Sequence, residues 1–453
     1  MLKKVILGCC LMFGFTAQAD LDATFSQGKL KPTPIALLKF QGDQDLAEDL
    51  KEVTENDLKR SGFFEPIPSE SFTETSLPLA QPPQFESWKL IKTRLLLNGH
   101  VALTNDNVLI IQFQLWDVYS QKQMVRGTIK AKKKYWRRLA HIISDIVYKR
   151  VTGTEGYFDS RIVYIAETGP QLKRMRRLAL MDQDGANHQY LTDEDVSVIT
   201  PRFSPTEQKV AYMQYEKKSK LGKIRILDLE TGKHEFIQQL PGITYAPRFS
   251  PDGTQLAFSY AEHGKSSLYL LDLKTKKILR LTNEQAIDTS PSFSPDGKKL
   301  VFNSDRGHKK QLYILDLKTL KTERISFGGG VYATPNWSPD GKWVAFTKIQ
   351  KGTFYIGIMK PDGTHEKLIA TGYLVEGPSW APNSRTLCFY RQERWNDTGT
   401  LGGKAKIYSI DISGANQQEV KTPMDATDPS WSPPLPFEHL PQVENTDFED
   451  EVL

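Results

Sequence analysis

The sequence predicts a small α/β domain followed by a six-bladed β-propeller that its C-terminal strand closes. Three observations predict this. The phrase Pro-x-aromatic-(Ser/Ala)-Pro occurs six times, starting at Pro201, Pro247, Pro291, Pro335, Pro378 and Pro429. Its aromatics, Phe203, Phe249, Phe293, Trp337, Trp380 and Trp431, lie 43 to 51 residues apart, the length of a four-stranded blade. Residues 20–150 lack the phrase and carry helical apolar spacing instead.

Residues 1–19 have the pattern of a secretory signal. Lys3 and Lys4 precede an apolar run from Val5 to Phe15, and Ala17-Gln18-Ala19 has small residues at the positions a signal peptidase reads. Cleavage is expected between Ala19 and Asp20. The apolar run is too short to span a bilayer. Leu7-Gly8-Cys9 loosely resembles a lipidation site, but only four residues separate Lys4 from Cys9, too few for an apolar export region. The three cysteines are Cys9, Cys10 and Cys388, so loss of the signal leaves one and no internal disulfide. Removing Lys3 and Lys4 takes the formal charge from +5 to +3, which gives no case for a nucleic-acid partner.

In residues 20–150, "TPIALLKF" is an expected strand. Asp45–Lys59 has helical spacing (Leu46, Leu50, Val53, Leu58), ended by Ser61-Gly62. "RLLLNGHVAL" and "NVLIIQFQLWDVY" are expected strands. Trp136–Arg150 is an expected amphipathic helix. The basic stretch Lys130–Arg138 is expected to be a solvated approach to that helix, with contact to anionic lipid or a partner as the alternative. Residues 151–160 form a linker, 161–435 the propeller, and the acidic tail 436–453 is expected to be disordered.

Each repeat spells a blade. "PSFS" at Pro291 is an expected short strand that begins with proline, where no ladder donor is lost. "SPDG" is then a type I turn, with Pro295 presetting φ and Gly297 in fourth position. "KLVFNS", "QLYILDL" and "TERIS" complete the blade. The first blade lacks an inner strand, and the last repeat is nothing but one. The strand near Trp431 should therefore pair beside Ile162–Glu167 and close the ring. An open solenoid would leave both ends unpaired.

No catalytic motif appears: no G-x-S-x-G, no H-E-x-x-H, no P-loop and no G-x-G-x-x-G after a strand. His188, His234, His263, His308 and His365 are scattered over turns and loops. "DQDG" at Asp182 lacks the further ligands of a calcium loop and is expected to be a hairpin turn. No metal or cofactor is expected.

The blade path places a binding surface. If the first strand is innermost, the "SPDG" turns lie on one face. The residues ahead of each Pro-x-aromatic then ring the channel mouth on the other. Thr200, Ala246, Thr289, Thr334 and Asp428 fall there, as do Arg306 and His308 of "SDRGHKK". "EKKSKLGK" and "RQERWNDTGTLGGK" are further mouth-face loops.

The signal, the α/β domain, the junction "RRLAHIISDIVYKRVTGTEGYFDSRIVYIAE" and the repeated "FSPDG" together resemble the TolB family, periplasmic propeller proteins of the Tol–Pal system in Gram-negative bacteria. The resemblance implies an anticodon-binding-like shape for the N-terminal domain and no enzymatic activity. It implies a monomer in the periplasm that binds Pal, a peptidoglycan-associated lipoprotein, at the propeller mouth. It also implies binding of the inner-membrane protein TolA by the segment after the signal, and exploitation by colicins. That system supports outer-membrane integrity and constriction at division. The family's Pal-contacting positions match Ala246 and Thr289, while a family histidine falls on Ile243. The TolA-binding segment matches Asp20–Lys31 by position, including Leu21, Asp22, Ala23, Thr24 and Phe25. The rival expectation is a periplasmic propeller that gates or carries out hydrolysis of peptides or glycans.

Overall fold

The computed structural model describes residues 31–436, apart from 171–172, 195, 216–221, 238–241, 284 and 395–402. The expected signal, its cleavage site at Ala19–Asp20, residues Leu21–Phe25 and the acidic tail lie outside the described residues. No described helix is long and apolar enough to cross a membrane.

The N-terminal domain is a sheet with helices against it. Its strands are β1 (Thr33–Leu37), β2 (Gln41–Gly42), β3 (Phe64–Pro66), β4 (Leu95–Leu103), β5 (Val108–Asp117) and β6 (Lys122–Lys132). The order is β3-β1-β4-β5-β6, with β2 beside β4. Helices α1 (Gln44–Ser61) and α3 (Trp136–Thr152) pack together, and the short α2 (Phe85–Leu90) carries the buried Trp88. Asp43 caps α1 by accepting from the Leu46 amide, and Gly62 ends it at φ 76°. The basic run is therefore not all helix approach. Through Lys132 it is the edge strand β6, whose Val125, Ile129 and Ala131 are buried between exposed or half-buried polar residues.

Six four-stranded sheets follow. The inner strands of blades one to six are Ser197–Phe203, Ile243–Phe249, Asp288–Phe293, Val331–Trp337, Leu374–Trp380 and Asp425–Trp431. The last of these pairs antiparallel with Arg161–Thr168, setting Trp431 against Ile162 and Asp425 against Glu167. The ring closes as the strand count requires. The repeated aromatics sit between blades. Phe203, for example, packs with Val163 and Leu178 of blade six and with Val210 of its own blade.

The inner strands correct one expectation. The proline does not begin the strand. Each strand starts several residues earlier, and its register shifts at the proline, between Ile199 and Arg202 in blade one and at the matching place in the other five. The prolines occupy β-bulges, where one residue goes unpaired and a missing N–H costs nothing.

The turns have the expected form. In "SPDG" the Gly297 amide donates to Ser294 O at 2.9 Å, Ser294 Oγ donates to Asp296, and Lys299 N donates back to Ser294 Oγ at 3.0 Å. Gly297 has φ 68°, and a Cβ there would meet nothing closer than 3.7 Å. Gly297→Ala should therefore cost only the left-handed backbone penalty, about 1–2 kcal/mol. Urea unfolding should show that loss, with any binding at the opposite face unchanged.

Candidate partner-binding site

The N-terminal domain marks one face of the propeller. Arg60 donates to Gln183 O at 3.2 Å, Asn416 Nδ2 donates to Arg60 O at 2.7 Å, and Arg385 lies over the Phe63 ring at 4.7 Å. Residues 183, 385 and 416 belong to the turns between first and second or third and fourth strands. The domain therefore sits on the face of the "SPDG" turns, at blades five and six, and the mouth face is opposite.

Six bulges shape the mouth. The residue before each proline has a left-handed φ: Thr200 51°, Ala246 52°, Ser290 56°, Thr334 45°, Gly377 69° and Asp428 48°. Thr200, Ala246, Thr334 and Asp428 thus occupy equivalent places around the channel. Thr289 sits one residue ahead of its equivalent, Ser290, and its Oγ1 accepts from Asn303 Nδ2 at 2.7 Å. Thr334 shares a hydrogen bond with Thr347 at 2.7 Å.

The two residues of "SDRGHKK" differ. Arg306 is tied down: it pairs with Asp288 at 2.9 Å, donates to Ser304 Oγ and Thr322 Oγ1, and lies over the rings of Phe302 and Tyr313. His308 is exposed, at φ 70°. The loops at 216–221 and 395–402 lie outside the described residues.

The charges of blades five and six crowd the mouth. Burial pushes the Glu376 and Asp428 carboxyls upward, with Tyr390 OH donating to Glu376 at 2.8 Å and Arg202 pulling Asp428 back. Burial also opposes ionisation of Glu167, but Arg176 and Arg174, at 2.9 and 2.7 Å, prevail and hold it below the usual carboxylate range.

Composition alone missed the apolar part of this face. Ile243, Ile287, Phe327 and Tyr373 are 41, 36, 72 and 48% exposed. Each lies at the start of an inner strand or in the connection leading to one. All four therefore stand on the mouth face. Ile243 is the position where the family resemblance places a histidine.

A second cluster lies at the domain interface. Ligand-type atoms of Asp57, His141 and Asp184 lie within 4.8 Å of one another, the one such trio among the described residues. Its charges already have partners. Asp57 accepts from His141 Nδ1 at 2.6 Å and from Gln183 at 2.8 Å, and Arg137 bonds Asp184. "DQDG" is the hairpin turn expected, with Gly185 N donating to Asp182 O at 3.0 Å, and through Asp184 it also joins the two domains.

Comparisons with known proteins agree with the two-domain fold. A family model described as the TolB amino-terminal domain matches residues 23–124, and one described as the TolB beta propeller domain matches residues 148–435. The Tol-Pal system protein TolB of Rickettsia bellii is 48% identical over 452 residues, covering 95% of this chain and 99% of that one. The protein of the same name from Rickettsia conorii is 48% identical over 443 residues, covering 93% and 97%. The crystal structure of TolB from Acinetobacter baumannii superposes with a TM-score of 0.79 at 26% identity, covering 90% of this chain and 98% of that one. The chain belongs to the TolB family of the Tol–Pal system.

Proposed function

We propose that the protein works in the periplasm as a monomeric adaptor, holding a Pal-type lipoprotein at the propeller mouth and a TolA-type protein through Asp20–Lys31. The observation that carries the first half is the mouth itself. Four exposed apolar side chains, Ile243, Ile287, Phe327 and Tyr373, stand among polar and charged groups on the propeller face opposite the N-terminal domain. Apolar residues gathered on one face and rimmed by polar groups mark protein-binding surfaces. On this reading Thr200, Ala246, Thr334 and Asp428, at the bulges, belong to the binding rim, with Thr289 beside them. His308 lies exposed at its edge, and Arg306 shapes the loop that presents it. Colicins are a further class of partner that the family resemblance implies.

The hydrolytic alternative finds less support. Among the described residues, Thr364 is the aliphatic hydroxyl on a histidine, His365, at 2.8 Å. It sits on an exposed hairpin turn and also donates to Asp362, so no base–orienter geometry is built around it.

The experiment is a binding titration with the soluble domain of a Pal-type lipoprotein. Ala246→Glu and Phe327→Asp should each weaken binding at least about tenfold, as expected for hot-spot positions. Undiminished affinity in both would exclude this face. In a parallel arm, deletion of residues 20–31 should abolish TolA-type binding and leave the unfolding temperature unchanged.

A further inference from the structure

The residue between proline and aromatic in each repeat lies at the wall of the central channel. Around the ring these residues are Arg202, Arg248, Ser292, Asn336, Ser379 and Ser430. The short ones reach across to the next blade's inner strand. Ser430 Oγ accepts from Phe203 N at 3.2 Å, Ser292 Oγ from Trp337 N at 3.1 Å and Ser379 Oγ from Trp431 N at 3.0 Å, while Asn336 donates to Pro378 O at 3.0 Å. These bonds stitch blade to blade.

Blades one and two depart from that scheme. An arginine is too long for the same bond, so its guanidinium enters the channel. The charge of Arg202 acts on Asp428 and Cys388, which belong to blades six and five. Arg202 is partly satisfied, donating to its own Pro201 O at 2.6 Å and facing Asp428. Arg248 is not. Its Nε is buried without a hydrogen-bond partner, and among the described residues no acceptor or carboxylate pairs with the rest of its guanidinium. Thr200 Oγ1, beside Arg202 in sequence, is likewise buried and unpartnered. Burial lowers the pKa of both arginines, and Arg202 lowers that of Arg248 further. An arginine stays charged in a protein. Arg202 has Asp428 as a counter-charge, whereas the charge that acts on Arg248 is that of Arg202 itself, so Arg248 is left without one.

We propose that the propeller channel binds a small oxyanion between Arg202 and Arg248, below the ring formed by Thr200, Ala246 and their equivalents. Guanidinium forks match the geometry of phosphate and carboxylate oxygens, and a shared anion would satisfy the Arg248 donors and relieve the like-charge contact. The unpartnered Thr200 hydroxyl supplies a further donor on the mouth side of the site. The site would sit directly beneath the partner-binding mouth, although it does not depend on that reading.

Inorganic phosphate is the probe, titrated into the purified protein at constant ionic strength with sodium chloride as the matched salt. The expected result is a saturable rise in Tm of about 2 °C or more, lost in Arg248→Met and shifted to at least about tenfold higher phosphate in Arg202→Met. If Arg248→Met does not fold, Arg248→Lys carries the test. It keeps the charge but not the fork, and phosphate should bind it at least about tenfold more weakly. A wild-type response no greater than that of matched chloride would overturn the proposal. So would an unchanged phosphate response in the folded arginine variants.

Discussion

Trp431→Ala is expected to destabilise the protein by about 3–5 kcal/mol, the usual range for emptying a buried tryptophan site. The indole is 5% exposed, meets the Tyr157 ring edge-on at 5.7 Å and donates from Nε1 to Ser160 Oγ at 2.8 Å. The position matters more than the volume. Every other inner strand is joined to its blade by a short turn. The strand Asp425–Trp431 holds Arg161–Thr168 by hydrogen bonds and packing alone, across more than 250 residues of chain. Loosening it opens the ring and exposes two sheet edges. The same core runs on through Phe158 and Tyr148 into Leu58 and Ile35, so the N-terminal domain should feel the loss.

Trp337→Ala is the control, because it empties a similar site in an internal blade. Urea unfolding gives the size of the loss, and hydrogen exchange gives its place. In the Trp431 variant, protection should fall first in residues 161–168 and 425–431. In the Trp337 variant it should fall around blade four. An identical exchange pattern in the two variants would rule out a special closing role for the last strand.

How much of this was legible follows from what kind of interaction each feature uses. Blades are local: an aromatic, a Ser-Pro-Asp-Gly turn and an alternating strand each act within a few residues, so their letters repeat. Closure was legible because an unpaired strand at each end is a counting problem. The bulges were not. Thr, Ala, Ser, Thr, Gly and Asp share no chemistry at the left-handed position, and the proline beside them reads equally well as a strand start. Strand β6 was obscured by its lysines, which mask the alternation of Val125, Ile129 and Ala131. The mouth's apolar residues follow no period, since Phe327 and Tyr373 stand in connections. The domain interface was out of reach for another reason. Its pairs are distant in sequence, 47 residues for Arg137 with Asp184 across the interface and 84 for His141 with Asp57 behind it, between α3 and α1. One sequence names the residues but not their partners.

The pair behind that interface carries the second large effect. His141 and Asp57 are buried, at 2% and 0% exposure, with 2.6 Å between Nδ1 and Oδ2. Burial works against the imidazolium, but Asp57, aided by Asp184 and Asp182, outweighs it and raises the pKa from 6.5 to about 9. His141 is therefore a cation at neutral pH. His141→Ala would leave the Asp57 carboxylate buried against Gln183 alone and should cost about 3–5 kcal/mol. The pH dependence identifies the charge. Because the folded pKa lies above the unfolded one, this contribution is complete below about pH 6.5 and is lost as pH rises through about 9. The gap corresponds to about 3 kcal/mol, in line with the expected cost of the substitution. Asp145, raised from 3.8 to about 7 chiefly by burial, acts in the same direction but in a lower window, between those two values. His141→Gln separates the two groups. It can still donate to Asp57, does not titrate, and leaves Asp145 in place. Urea unfolding from pH 6 to 10 should show wild-type stability falling toward that of the glutamine variant as His141 loses its proton. Parallel curves for the two proteins across that range would mean that His141 is neutral in the folded state, and that it holds α3 to α1 by a hydrogen bond and packing rather than by an ion pair.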